Sequence, residues 1–144
     1  SKRNMERGYY DTMRMLYGLA GKIYYIDEQE EECYYLKQLT ELSDDIYLYL
    51  AEEFKLDTGE KRRLRNLTEI ILPVIAEELK LPKDWSYREL YLSMLEAAAR
   101  LCRIRKYKIY TLKELQDRVK EKLQKLKGQG AAPFMQIVSG DTLL

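Results

Sequence analysis

The chain has 144 residues, 46% hydrophobic and 34% charged, with 25 Lys or Arg against 24 Asp or Glu for a formal net charge of +1. That length suffices for one domain with a real core, and no window approaches the roughly 18 apolar residues of a membrane-spanning helix. The sequence contains no histidine, which removes Ser-His-Asp and Cys-His nucleophile pairs, the Glu-x-x-His pairs of di-iron bundles and most zinc sites together.

Residues 1–26 predict a first helix. Tyr9, Met13, Leu16, Ala20 and Ile23 step by four and three and make one apolar stripe, while Tyr10, Tyr17 and Tyr24 repeat every seven residues. Lys2, Arg3, Arg7, Arg14 and Lys22 outweigh Glu6 and Asp11, so this arm is basic. Gly18 and Gly21 each weaken a helix by about 1 kcal/mol relative to alanine; they admit a close backbone or mark a bend. The opening SKRNMERGYYD has no apolar leader segment, from which a cytoplasmic or virion protein is expected.

Residues 27–60 carry twelve Asp or Glu against Lys37 and Lys55, a net of −10. The run Asp27-Glu28-Gln29-Glu30-Glu31-Glu32 suits the positive end of a helix dipole and is expected to be a solvated first turn. The helix then continues through Leu36, Leu39, Leu42, Ile46 and Leu50 to about Phe54. Asp57-Thr58-Gly59-Glu60 predicts a turn and cap, followed by Lys61, Arg62, Arg63 and Arg65 and an apolar run from Leu67 to Leu81. Pro73 within that run should kink or split the helix near Leu72.

Leu81 to Trp85 is a connector. Ser86 with Glu89 is a capping box that starts a fourth helix, with an inner stripe of Leu90, Met94, Ala97, Leu101 and Ile104; Ala97-Ala98-Ala99 permits close packing. Arg103 to Tyr110 alternates in places, but reads better as the basic end of that helix plus a short turn than as an extended segment. Thr111 with Glu114 opens a fifth helix through Leu115, Val119, Leu123 and Leu126, ending at Gly128. The tail from Gly128 is almost uncharged and lacks a helical period. The expected fold is therefore all-α: a four- to five-helix bundle with a basic N-terminal helix or arm over residues 1–128, and a non-helical apolar C-terminal tail over 129–144.

Charge is sorted along this chain. Between Arg100 and Lys127 eleven Lys or Arg face Glu114, Asp117 and Glu121, a local net of +8. Sorted basic charge is the usual electrostatic footprint of a nucleic-acid-facing surface. Arg and Tyr grip phosphates and stack on bases, so Arg100, Arg103, Arg105, Lys106, Tyr107, Lys108, Tyr110 and Lys113 form the candidate interface, with Arg62, Arg63, Arg3 and Arg7 in support. The competing readings are a solvated surface and a docking surface for an acidic protein, including the 27–60 segment of another copy.

Little catalytic chemistry remains. Asp44 and Asp45 with Glu28, Glu31 or Glu52 would be the only carboxylate set for Mg²⁺. Cys33 and Cys102 make no disulfide framework and are expected to be buried small apolar residues. There is no Walker A motif and no G-x-G-x-x-G. The expectation is a non-enzymatic protein without catalytic residues, cofactor or metal.

Plentiful Lys, Arg and Glu with few amides resemble the composition of hyperthermophile proteins. In size and charge layout the chain resembles the small helical subunits of CRISPR effector complexes and the coat proteins of filamentous archaeal viruses. That resemblance implies a nucleic-acid-binding subunit, of DNA or RNA, within a homo-oligomer or a multi-protein complex, with no membrane partner. The alternative is a helical protein–protein adaptor that self-assembles through complementary acidic and basic helices. Phe134, Met135, Ile137 and Val138 in the tail are expected to mediate assembly, lying in a neighbouring copy's groove rather than in their own.

Overall fold

The computed structural model describes residues 2–125 and 137–138. The described chain is mostly helical. Helix α1 spans Lys2–Tyr17, strand β1 Tyr25–Asp27, α2 Glu32–Thr40 and α3 Asp44–Glu53. A 3-10 turn at Glu60–Arg62 leads into α4 Arg63–Asn66, a π turn Leu67–Ile71 and α5 Leu72–Glu78. Helix α6 covers Tyr87–Leu101, β2 Ile109–Thr111 and α7 Leu112–Lys125.

Helix α6 is the axis of the core. Leu90, Met94, Leu95, Ala98 and Ala99 are fully buried on it, and it packs against α2 on one side and α7 on another. Tyr35 and Leu39 from α2, Ile46 and Leu50 from α3, Leu67, Ile71 and Leu72 from the α4–α5 segment, and Leu115 and Val119 from α7 complete the cluster. Strands β1 and β2 pair in parallel, with Tyr25 opposite Ile109, Ile26 opposite Tyr110 and Asp27 opposite Thr111. A parallel pair needs a long crossover, and here everything from α2 to α6 supplies it.

The first helix is shorter than its apolar period suggests. It stops at Tyr17, Gly18 takes φ +62°, and the Leu19 N–H donates to the Arg14 carbonyl at 3.0 Å. That is a Schellman closure. Three further helices end the same way: Leu56 donates to Ala51, Leu81 to Ala76 and Ile104 to Ala99, with Lys55, Lys80 and Arg103 in the left-handed conformation that glycine would take more easily. In each the next residue is apolar and tucks toward the helix.

The acidic helix expected to reach Phe54 is two helices. Glu41-Leu42-Ser43 breaks it, and Ser43 Oγ caps α3 by accepting from the Ile46 N–H at 3.3 Å. Pro73 falls in the first turn of α5, directly after the π turn Leu67–Ile71, whose wider turn accommodates a residue that cannot donate an N–H. The basic end of the fourth helix is also shorter than expected. Helix α6 stops at Leu101, and the last residues of the Arg103–Tyr110 stretch join a strand, because Ile109 and Thr111 find a backbone partner in β1.

Burial corrects several side chains. Leu101, expected on the inner stripe, is 61% exposed. Cys33 is exposed, while Cys102 is buried and its thiol pKa raised by that burial. Ile137 and Val138 are buried and lie within this chain's own core cluster. Phe134, Met135 and the rest of the expected tail lie outside the described residues.

Candidate nucleic-acid interface

Helix α1 buries none of its residues. Tyr10, Asp11 and Arg14, on one face, hold it to described parts of the body. Tyr10 packs on Tyr25 and stacks on Tyr107, with ring centroids 5.3 and 5.8 Å apart. The Tyr25 hydroxyl donates to Asp11 Oδ1 at 2.7 Å. The Arg14 guanidinium lies 4.1 Å over the Tyr25 ring and donates to the Tyr24 carbonyl at 2.9 Å.

That attachment fixes where the charge of α1 sits. Arg3, Arg7, Tyr10 and Arg14 follow at spacings of four, three and four, so they share one helical face. Tyr107 belongs to the loop that carries Arg105, Lys106 and Lys108, all three exposed. The Tyr10–Tyr107 stack thus joins the basic face of α1 to the basic loop before β2. Asp11 reduces the charge locally, 3.7 Å from Arg7 and 3.6 Å from Arg14.

The other expected site residues separate. Arg100 and Arg103 are exposed but line a different feature, a cleft beside α5. Lys113 is exposed on α7 and pairs with Asp117 at 3.6 Å. Arg62 lies 3.9 Å from Asp57. Arg63 is structural: it bonds Asp44 at 2.7 Å, donates to the Leu42 carbonyl, and rests 4.8 Å over the Tyr47 ring. Tyr110 is buried, stacked edge-on to Tyr24, with its hydroxyl donating to the Arg105 carbonyl at 2.6 Å. It therefore supports the loop from beneath and presents no face for a base to stack on.

The carboxylates also disperse. Glu28 is not solvated: its side chain is 2% exposed, accepts from the Tyr35 hydroxyl and pairs with Arg88. Burial, then the bond to Glu28, pushes the Tyr35 phenol strongly upward. Glu32 caps another helix, accepting from the backbone N–H groups of Tyr87 at 3.1 Å and Arg88 at 2.8 Å. Among the described residues no three Asp, Glu or Cys side chains gather as a metal-ligand set.

Two features had weak sequence signals. Glu96, an acid inside the apolar run Met94-Leu95-Glu96-Ala97, is buried and receives the N–H groups of Lys22, Ile23 and Tyr24 at 2.7–3.1 Å. Lys22 and Lys80 reach the cleft lined by Arg100 and Arg103, a convergence of distant segments that no local pattern foretells. Compared with known protein families, curated proteins and solved structures, the chain matches none.

Proposed function

We propose that this chain is a non-enzymatic, nucleic-acid-binding subunit that grips the phosphate backbone where α1 meets the 105–108 loop. The observation that carries this reading is the Tyr10–Tyr107 stack. It makes one surface of two basic segments nearly a hundred residues apart in sequence, with Arg3 and Arg7 on one side and Arg105, Lys106 and Lys108 on the other. Phosphate contacts of this kind position a nucleic acid without reading its sequence. Tyr9, exposed next to Tyr10 with rings 5.1 Å apart, supplies a face for an unpaired base.

The test is fluorescence anisotropy with single-stranded DNA, RNA and duplex DNA at two salt concentrations. Arg105→Glu with Lys106→Glu should weaken binding of the preferred form by about tenfold or more. It should also lower the slope of log affinity against log salt by about two. Equal affinity and slope for the variant, with helicity intact, would remove this surface from consideration.

A further inference from the structure

We infer that copies of this chain assemble head to tail, the acidic outer face of α3 from one copy seating in the basic cleft between α5 and α6 of the next. This stands apart from the nucleic-acid reading, since the cleft shares no residue with the surface around Tyr107.

The cleft encloses about 810 Å³ between the end of α5, the outer side of α6 and the 21–24 turn. Four cations line it: Lys22, Lys80, Arg100 and Arg103. Lys80 and Arg103 each occupy the left-handed position that closes a helix, at φ 59° and 58°. The same closure, repeated at the ends of α5 and α6, brings both side chains to one opening. Among the described residues Lys22 pairs with Glu89 at 3.8 Å, whereas Lys80, Arg100 and Arg103 pair with no carboxylate. Glu96 at the wall has its oxygens committed to backbone N–H groups.

The floor is aliphatic. Ile23, Leu79, Leu81 and the exposed Leu101 line it, and among the described residues no aromatic ring does. A nucleic acid would find no ring among the described lining residues to stack on. An apolar floor inside a cationic rim instead fits an apolar side chain flanked by acids.

The chain carries that counterpart. On α3, Leu48 is 47% exposed. Asp44 and Asp45 precede it by four and three residues and Glu52 follows by four, so the acids surround it on one helical face. Asp45 and Glu52 have no ion-pair partner among the described residues; Asp44 bonds Arg63. The acidic ridge and the basic cleft share no residue, so one copy can use both at once. A heterologous contact of this kind propagates as an open chain or closes as a ring. The net charge of +1 leaves little long-range repulsion between copies.

Sedimentation velocity over a concentration series tests this. The wild-type chain should form oligomers that dissociate as salt rises, because rim charges are screened. Leu48→Glu breaks the ridge, and Lys80→Glu with Arg103→Glu breaks the cleft; each variant alone should be monomeric with wild-type helicity. Mixed together, they retain one intact ridge and one intact cleft and should form a 1:1 pair and nothing larger. Leu48→Ser and Lys80→Gln with Arg103→Gln serve if the stronger changes unfold the chain. A wild-type chain that stays monomeric at its solubility limit overturns the inference. So do variants that assemble like the wild type, or a mixture that does not pair. Loss of nucleic-acid binding in the cleft variant with assembly unchanged would overturn it too, and would give the cleft to nucleic acid.

Discussion

Glu96 is the residue on which the turn between α1 and β1 closes. Its carboxyl group replaces water for three successive backbone N–H groups that burial would otherwise leave unpaired. The approach is so close that a Cβ on Gly21 would lie 2.5 Å from the Tyr24 carbonyl oxygen and 2.8 Å from Glu96 Oε2, at a φ of +98°. Glu96→Ala strands those donors and should destabilise the fold by about 3 kcal/mol or more, from the cost of leaving several buried donors unmade. Glu96→Gln keeps one acceptor and should cost less. Urea unfolding checks both; a Glu96→Ala midpoint equal to the wild type would show that water satisfies the turn. The oddity of Glu96 is visible in the sequence as an acid among apolar neighbours. Its partners are not, because they lie more than seventy residues upstream and belong to a turn that only the tertiary fold creates. Gly21 is half legible: a glycine at risk within a helical period signals a bend, but not the carboxylate that demands it.

Among the elements, α6 shows how a helix end is built from several parts of a chain. Ser86 Oγ accepts from the Glu89 N–H at 3.0 Å, and Glu32, from α2, takes the N–H groups of Tyr87 and Arg88. Three of the four donors orphaned at a helix start are therefore satisfied. Ser86→Ala should cost about 1 kcal/mol, and Glu32→Ala a similar amount. The double variant should lose at least the sum, since each cap can no longer hold the turn for the other. Thermal melts of the four proteins check this; a Glu32→Ala melt equal to wild type would leave Ser86 as the sole cap. Ser86-x-x-Glu89 and Thr111-x-x-Glu114 were both readable as helix starts, because a cap is a local chemical pattern. Glu32 was not: in sequence it belongs to a run suited to solvent at the start of its own helix. The two strands escaped for a related reason. Three residues are too few for a period of two to show, and β1 and β2 are defined by one another across the chain. The candidate interface follows the same division. The basic loop was legible as composition, whereas its union with α1 through Tyr10 and Tyr107, and the loss of Tyr110 to the core, depend on the fold.

At the scale of the whole molecule, tyrosine is the core's chief aromatic, and that sets its response to alkali. Tyr24 and Tyr91 are buried, and burial foremost pushes both phenols up to about 12, aided at Tyr24 by Tyr110 and Glu96 and opposed at Tyr91 by the Gln116 amide that donates to it. Tyr110 is raised as well, again by burial first. A phenol raised in the folded state gives up no stability below the unfolded value near 10, where both states keep the proton. Above that pH the unfolded chain releases protons that the folded chain retains. Stability then falls with each unit until the folded phenols themselves ionise near 12. At about 1.4 kcal/mol per unit, each such tyrosine removes roughly 2 to 3 kcal/mol across that window. Tyr24 and Tyr91 together approach the lower end of the roughly 5–15 kcal/mol that holds a domain of this kind folded. The core phenols should therefore cost no stability up to about pH 10, and the chain should unfold cooperatively between 10 and 12. Tyrosinate absorbance should rise in two stages. Solvent-facing phenols ionise first with far-UV dichroism unchanged, and the buried set ionises only as helicity collapses. Tyr91→Phe, which has no proton to lose, should move the collapse to higher pH. A single titration of all tyrosines with helicity retained throughout would mean that water reaches the phenols of the core.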